Sequence, residues 1–224
     1  MHIGIVITGI ICDYYLENLI NQYKNCDYTK IVSTWDYTDT DIIDKLLNNG
    51  FFVILNKFPS NIYPSSVNYQ NYSAVMGIRC AEKLNVTHVI RLRADMYCNN
   101  ITNLLEIYKN IYKEDKLIFL LHFHNTNPGY LVDYVYFGKI NDTLLYIKNF
   151  QLENDSRFPE KFLQETCYGT NDFNIINKHV IYSGEILLKN NIDFHFLTYA
   201  HSNCRKDLIN SLIEFNTENG FYSF

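Results

Sequence analysis

Two arginines and an aspartate stand at alternate positions after an apolar run, in the segment Arg91-Leu92-Arg93-Ala94-Asp95. Alternate side chains of a strand point to the same face, so we expect Arg91, Arg93 and Asp95 on one side. Arginine binds phosphate or carboxylate through paired N–H donors, and a carboxylate is a ligand for Mg²⁺ or Mn²⁺. The segment therefore predicts a site for a phosphate-bearing ligand. A plain Arg–Asp ion pair at a strand end is the alternative.

A second candidate for chemistry is Asp133, which lies in an aromatic run bounded by glycines. A carboxylate buried in such surroundings has a raised pKa and acts as a general base. Its neighbours include Tyr130, Tyr134 and Tyr136, whose type suits sugar binding, because the ring stacks on a sugar face while the hydroxyl bonds to it. The alternative is an aspartate that caps a turn or pairs with an arginine.

Ligands of parallel α/β sheets bind outside the carboxyl ends of the strands. Two further segments hold that position in the predicted order of elements. Thr8 and Gly9 follow the first predicted strand, and Thr34, Trp35 and Asp36 follow the second. We therefore expect these residues to contact the ligand.

The remaining polar candidates lie in the second half of the chain. Glu165 belongs to a helix predicted to begin at Pro159, and His201 is near the C-terminus. Both are candidate acceptor-binding residues, with a solvated helix surface as the alternative for Glu165. The sequence has no Gly-x-Gly-x-x-Gly, Walker lysine or Gly-x-Ser-x-Gly motif. Their absence disfavours a dinucleotide-binding Rossmann site, a P-loop nucleotide site and the nucleophilic serine of an α/β-hydrolase.

The elements that must position these residues alternate in the first half of the chain. Apolar runs predict strands at Ile3–Ile7, Lys30–Ser33, Phe51–Leu55 and Thr87–Leu92. Helical spacing predicts helices at Tyr14–Tyr23, Ile42–Asn48 and Asn68–Leu84, the second of them capped by Asp41 and stopped by Asn49-Gly50. This order predicts an α/β fold with a mainly parallel central sheet and helices on both faces.

The second half is less regular. Strand-like runs cover Lys116–His122 and Tyr130–Phe137, and further candidate strands lie within Lys178–Leu188 and Asp193–Thr198. Helical patterns cover Asn141–Asn149 and Pro159–Thr166. No domain boundary is visible, so we expect a single unit over residues 1–224.

Composition narrows the function classes. The chain has 224 residues, 47% hydrophobic and 19% charged, with a net charge of −5, which excludes disorder and a basic nucleic-acid-binding surface. The apolar N-terminal run is shorter than the roughly 20 residues of a membrane span. The six cysteines have no metal-site or Cys-x-x-Cys spacing and are interpreted as reduced thiols. We therefore expect a cytoplasmic protein without a membrane span or a nucleic-acid partner.

Three blocks in this order resemble the WavE-type lipopolysaccharide-synthesis family of glycosyltransferases. They are Ile31–Trp35, then Val67–Gln70 continuing through Ser73 and Gly77 to Ile90–Asp95, and finally Asp133–Gly138. The resemblance covers roughly residues 1–170, and its middle block is the most specific. The Asn-, Ile- and Lys-rich composition is similar to that of giant DNA viruses, which would place the protein in the host cytoplasm.

The resemblance implies a GT-A-like fold that moves a sugar from a nucleoside-diphosphate sugar to a glycan or other hydroxyl acceptor. Residues 1–98 would form the nucleotide-sugar-binding half and residues 99–224 the acceptor-binding half. In that fold an Asp-x-Asp motif holds Mn²⁺ or Mg²⁺. Asp95 matches its last aspartate, whereas Arg93 stands at the first, so direct contact of Arg91 or Arg93 with the diphosphate stays open beside metal binding.

The same resemblance implies roles for the other candidates. The Thr8-Gly9 and Thr34–Asp36 segments would contact the nucleobase and ribose, and Asn68 and Gln70 would bind the donor or order the helix that enters the site. Asp133 would take the proton of the acceptor hydroxyl in a direct displacement. Two rival interpretations stay open: a non-catalytic nucleotide-sugar or glycan-binding protein, and a nucleotidyltransferase, although Thr8–Ile11 lacks the glycine- and lysine-rich loop that such an enzyme uses.

Overall fold

Strands and helices alternate along the chain. The structure is a computed structural model, and it describes residues 1–57, 66–120, 122–123, 130–131, 134–147, 159–170 and 172–196. The strands are β1 (Ile3–Thr8), β2 (Thr29–Trp35), β3 (Phe51–Asn56), β4 (His88–Arg93), β5 (Met96–Cys98), β6 (Leu117–Phe119), β7 (His122–Phe123), β8 (Tyr130–Leu131), β9 (Tyr136–Lys139), β10 (Val180–Tyr182) and β11 (Phe194–Phe196). The helices are α1 (Asp13–Tyr23), α2 (Thr40–Asn48), α3 (Ser66–Lys83), α4 (Ile101–Ile111), α5 (Ile140–Ile147), α6 (Pro159–Tyr168), α7 (Phe173–Ile176) and α8 (Gly184–Lys189).

A seven-stranded sheet forms the centre, in the order β10-β6-β9-β4-β1-β2-β3. Strand β9 runs antiparallel to both β4 and β6, and the other neighbouring pairs are parallel. Two small antiparallel sheets pair β5 with β11 and β7 with β8. The predicted mainly parallel sheet is therefore confirmed, with strands from both halves of the chain in it.

Helices cover both faces of this sheet, as predicted. All six residues of β1 are buried, as expected of a parallel strand between two helical layers. On one face Ile5 packs in a cluster with Leu19 of α1 and Leu46 of α2. On the other face Val6 packs in a second cluster with residues of α3 and α5.

Helix α3 lies unusually close to β1 and β2. A Cβ atom at Gly77 would stand 2.5 Å from Val6 Cγ1 and 3.1 Å from Ser33 Cβ, so the close approach requires glycine. The hydroxyl of Ser33 donates to the Ser73 carbonyl at 2.7 Å, and the Ser73 hydroxyl donates to the Ser33 carbonyl at 2.6 Å. These buried bonds fix α3 against the carboxyl-terminal half of β2.

Several predicted boundaries were wrong. The side chain that caps α2 is Asp39, which accepts from the Asp41 backbone N–H at 2.8 Å, because the helix begins at Thr40 rather than after Asp41. The run Lys116–His122 is not one strand, since β6 ends at Phe119 and β7 belongs to another sheet. Strand β10 lies within Lys178–Leu188, as predicted, and ends at Tyr182. The Ser183 backbone N–H and hydroxyl both donate to the Phe119 carbonyl, and α8 follows.

Two findings concern the cysteines and the helices of the described ranges. The cysteines in the described ranges, at positions 12, 26, 80, 98 and 167, form no disulfide. None of the helices in these ranges combines the length and apolar character that crossing a membrane requires.

Candidate functional site

A cavity of about 230 Å³ opens at the carboxyl ends of β1, β2 and β4. The predicted site residues that line it are Thr8, Gly9, Trp35, Gln70, Arg93 and Asp95. This is the position at which open parallel sheets bind ligands. The structure therefore brings together segments that lie far apart in the sequence.

Backbone groups form the floor of the cavity. Gly9 has a φ of +128°, which L side chains rarely adopt, and its N–H donates to the Ser33 carbonyl at 3.3 Å. The Ala94 N–H donates to the Thr8 carbonyl at 2.9 Å, which ties the end of β4 to the end of β1. Glycine at position 9 thus turns the chain without placing a side chain in the cavity.

One wall is aromatic. Trp35 is 3% exposed and contacts two tyrosines of α3. Its ring centroid is 6.0 Å from that of Tyr69 in an edge-on contact and 6.3 Å from that of Tyr72 in a stacked one. Tyr37, which also lines the cavity, is 55% exposed.

A half-buried ion pair stands at the end of β4. Arg93 donates from Nε to Asp95 Oδ1 at 2.8 Å and from Nη2 to Asp95 Oδ2 at 2.6 Å. Each side chain is 18% exposed. The Arg93 guanidinium carbon also lies 5.4 Å from the Tyr134 ring centroid. The Arg–Asp ion pair that was the alternative interpretation of the sequence is therefore present at the end of β4. The same two residues line the cavity.

Arg91 lies beneath the cavity and is fully buried. Its Nε donates to the Thr8 hydroxyl at 3.0 Å, and its guanidinium carbon is 5.7 Å from the Tyr136 ring centroid. Thr8 in turn donates to the Leu92 carbonyl at 3.4 Å. Arg91 does not line the cavity. Its hydrogen bond to the Thr8 hydroxyl supports the floor of the cavity from below.

Other donor-side candidates are placed differently. The hydroxyl of Thr34 is buried and shares a hydrogen bond of 3.0 Å with Thr38. Asp36 is exposed, and neither it nor Thr34 lines the cavity. The side chain of Asn68 lies outside the described part of α3, whereas Gln70, two residues on, lines the cavity.

The acceptor-side candidates are only partly described. Those that lie outside the described structure are Asp133, His201 and the side chain of Tyr130. Tyr134 and Tyr136 lie against the guanidinium groups of Arg93 and Arg91, as given above. Glu165 is partly buried on α6 and does not line the cavity. The roles expected of these residues stay predictions.

The prediction missed Ile10, Tyr15, Tyr37, Tyr69 and Ala94, all of which line the cavity. A signal existed for two of them, since Tyr37 directly follows the Thr34–Asp36 segment and Tyr69 lies between Asn68 and Gln70. Tyr15 belongs to α1, and only the packing of that helix brings it here.

The described side chains do not fit a divalent cation at the end of β4. Both Asp95 oxygens accept hydrogen bonds from Arg93, and a fixed guanidinium beside a carboxylate opposes a second cation there. In the ranges that the structure describes, no group of three His, Cys, Asp or Glu side chains is placed to bind a metal. The metal role expected of Asp95 stays a prediction.

This architecture is a mixed α/β, Rossmann-like fold with a mainly parallel seven-stranded sheet. One structure that the chain resembles is the 4-diphosphocytidyl-2C-methyl-D-erythritol synthase of Anaerococcus prevotii, with a TM-score of 0.50 and 12% identity over 80% of this chain and 85% of that one. No protein-family model matches the chain, and no curated protein matches it by sequence.

Two further structural neighbours have slightly lower scores. A glycosyltransferase involved in the glycosylation of the major capsid of PBCV-1 has a TM-score of 0.49 and 11% identity over 94% of this chain and all of that chain (100%). TarS 1-349 of S. aureus has a TM-score of 0.49 and 13% identity over 75% of this chain, which spans 56% of the TarS chain. At these identities the similarity concerns the fold.

Proposed function

We propose that this protein is a glycosyltransferase that takes a sugar from a nucleoside-diphosphate sugar and passes it to a hydroxyl acceptor. One observation carries the proposal: a single cavity at the carboxyl ends of β1, β2 and β4 combines an aromatic wall with an oriented arginine. Aromatic rings suit a nucleobase or sugar face, and arginine suits a diphosphate. The two halves of a nucleotide sugar therefore have matching surfaces in one place.

We match the nucleobase and the diphosphate of the donor to residues of the cavity by their chemical properties. We assign the nucleobase to the side of Tyr37, an aromatic residue that lines the cavity and is 55% exposed. Gln70 has both a carbonyl acceptor and amide donors, which suits the polar edge of a base. The diphosphate is assigned to Arg93, whose orientation is set by Asp95 and Tyr134. Gly9 lets the phosphate or ribose approach the backbone closely.

Transfer requires one bond to break and one to form at the anomeric carbon. The bond from that carbon to the diphosphate oxygen breaks, and the diphosphate leaves with the electron pair. The acceptor oxygen bonds to the carbon and gives up its proton to a base. A positive charge at Arg93 would stabilise the leaving diphosphate as its negative charge develops.

The base in this proposal is Asp133, which directly precedes Tyr134 in the chain. The proximity of the Tyr134 ring to the Arg93 guanidinium, 5.4 Å, supports this choice. Asp133→Asn should abolish transfer while donor affinity stays unchanged. Turnover retained by this variant would contradict the assignment of the base.

A non-catalytic nucleotide-sugar-binding protein is the second candidate. The observation that favours it is the Arg93–Asp95 pair, because it neutralises the one described carboxylate that lines the cavity. Such a protein would bind the same donor and leave it intact. A nucleotidyltransferase, by contrast, would take a nucleoside triphosphate and a sugar phosphate and release pyrophosphate.

A thermal-shift screen separates these candidates at the binding step. Nucleoside diphosphates, nucleotide sugars and nucleoside triphosphates are tested with Mn²⁺ and with EDTA. A ligand that binds the folded state raises the unfolding temperature by mass action. The proposal expects stabilisation by one nucleoside diphosphate and its sugar, followed by release of that diphosphate on incubation with sugar acceptors. Stabilisation without release favours the binding protein, and pyrophosphate release favours the nucleotidyltransferase.

A further inference from the structure

The outer edge of the central sheet is β3, the last strand in the sheet order. Its residues Phe51-Phe52-Val53-Ile54-Leu55-Asn56 include no charge, proline or glycine. Among the strands that the structure describes, only β2 pairs with β3. Monomeric proteins normally shorten such an edge or protect it with charges, proline or bulges. The opposite edge follows that rule, since β10 has three residues, whereas β3 has six.

Exposed apolar side chains surround this edge on both faces of the sheet. Phe52 is 47% exposed and shares a face with Ile54, which packs against the cluster that contains α3. Leu55 is 44% exposed and shares the other face with Val53, and Leu47 of α2 is 51% exposed. Single exposed apolar residues are ordinary. Their concentration beside a strand edge with no described partner marks an interaction surface.

We propose that β3 pairs antiparallel with β3 of a second copy of this chain, about a two-fold axis normal to the sheet. This symmetry places residues of the same face opposite each other. One such register sets Val53 opposite the partner's Val53, Phe52 opposite the partner's Ile54, and Phe51 opposite the partner's Leu55. Every pair is apolar, and apolar cross-strand pairs stabilise a sheet. The strand is therefore complementary to itself, which is what a two-fold interface requires.

Charge is compatible with the same register. The first charged residue after the strand is Lys57, which stands opposite the partner's Asn49, an uncharged residue. No like charges oppose each other within the paired segment, an arrangement that would destabilise a strand pair. Because each copy has one β3 edge, the pairing closes at two chains and does not extend into a fibre.

The interface and the cavity are separate. The cavity is lined by residues from the ends of β1, β2 and β4, together with α1 and α3, and includes no residue of β3. Antiparallel pairing also directs the two cavities to opposite ends of the joined sheet. Substitutions at the exposed β3 side chains should therefore change association and leave the ligand site intact.

Sedimentation velocity over a range of protein concentrations tests the proposal. The wild-type protein should approach twice the chain mass of 26.5 kDa as the concentration rises. Phe52→Lys and Leu55→Lys place charges opposite the apolar edge and should each hold the protein at the mass of one chain. Leu188→Lys is the matched control, because Leu188 is 47% exposed on α8, and it should dimerise like the wild type. Circular dichroism confirms that each variant is folded.

Hydrogen exchange gives a second test that needs no substitution. Protection of the β3 amides in the wild type should increase with protein concentration, whereas that of the β10 amides should not. A wild-type mass of one chain at all concentrations would overturn the proposal. So would dimers that persist in both lysine variants, species larger than two chains, or β3 exchange that is independent of concentration.

Discussion

Arg93 and Asp95 are joined by two parallel hydrogen bonds, of 2.8 Å from Nε to Oδ1 and 2.6 Å from Nη2 to Oδ2. Exposed ion pairs contribute little, but a bidentate and half-buried pair fixes the guanidinium plane. The Tyr134 ring lies 5.4 Å from the same guanidinium. The cavity therefore has a cation whose position is set by the protein before any ligand binds.

The first prediction is that nucleotide binding does not depend on a divalent cation. Arg93 is positioned to supply positive charge, and the Asp95 oxygens already accept from it. Calorimetry should give dissociation constants for the nucleoside diphosphate in Mn²⁺ and in EDTA that differ by less than about tenfold, or about 1.4 kcal/mol. Binding that requires Mn²⁺ and is lost in Asp95→Ala would instead restore the metal role of Asp95. That outcome would leave the proposed transferase function in place.

The second prediction concerns Tyr37 as the stacking surface for the base. Aromatic contacts contribute about 0.5–1.5 kcal/mol beyond area burial, so Tyr37→Ala should weaken nucleotide binding by roughly tenfold. Tyr37→Phe keeps the ring and should bind like the wild type. Leu145→Ala, at a residue of similar exposure outside this cavity, is the second control. Equal affinity of the Ala and Phe variants at position 37 would show that the ring does not contact the base.

The third prediction tests the close approach of α3 to the sheet. Gly77→Ala inserts a methyl group 2.5 Å from Val6 Cγ1. Overpacking costs about 1–3 kcal/mol, while the helix propensity of alanine returns about 1 kcal/mol. We expect a net loss of roughly 1 kcal/mol in the free energy of unfolding by urea. Met76→Ala, at the 37% exposed neighbour, should stay within about 0.5 kcal/mol. A more stable Gly77→Ala variant would contradict the packing.

The fourth prediction is a pH dependence that arises from His88. Burial lowers the pKa of this imidazole from its ordinary value of 6.5, and the positive charges of the N-terminal amine and Lys139 lower it further. The ring packs against Tyr112 and Phe137. As the pH falls through 6.5, the unfolded state binds this proton more readily than the folded state. His88 therefore contributes its full stabilisation above pH 6.5. This contribution is lost as the pH falls toward the lower pKa of the folded state.

Urea unfolding on both sides of pH 6.5 measures this effect. The wild type should lose stability toward acid, and His88→Gln should reduce that loss. An identical slope of unfolding free energy against pH in the two proteins would contradict the assignment to His88.

Local patterns predict the first half of the fold well because each element there is long and regular. The apolar run of β1 and the helical spacing of α1 lie within one or two residues of their observed bounds. The second half has strands of two to four residues, such as β6 and β9. Their position depends on hydrogen bonds between distant segments, such as that of Ser183 with Phe119, which no local pattern reports.

The site was predictable where the position of a strand end decides it. Thr8, Trp35 and Arg93 follow from the rule that ligands bind at the carboxyl ends of parallel strands. The rule does not say which side chains at a strand end point away from the cavity. Thr34 bonds to Thr38, and Arg91 is buried beneath Thr8, because their neighbours in the folded chain provide partners there.

Release of nucleoside diphosphate, from the nucleotide sugar that the thermal-shift screen selects, measures directly whether this cavity turns over a donor. Wild-type protein should release the diphosphate in the presence of a sugar acceptor, and Arg93→Gln should slow the release by about 10²-fold or more, as removal of one charge-stabilising donor does in other enzymes. Circular dichroism verifies that the variant is folded. Release that is absent in the wild type would contradict the proposed transferase function, and release that is equal in the folded variant would contradict the role of Arg93.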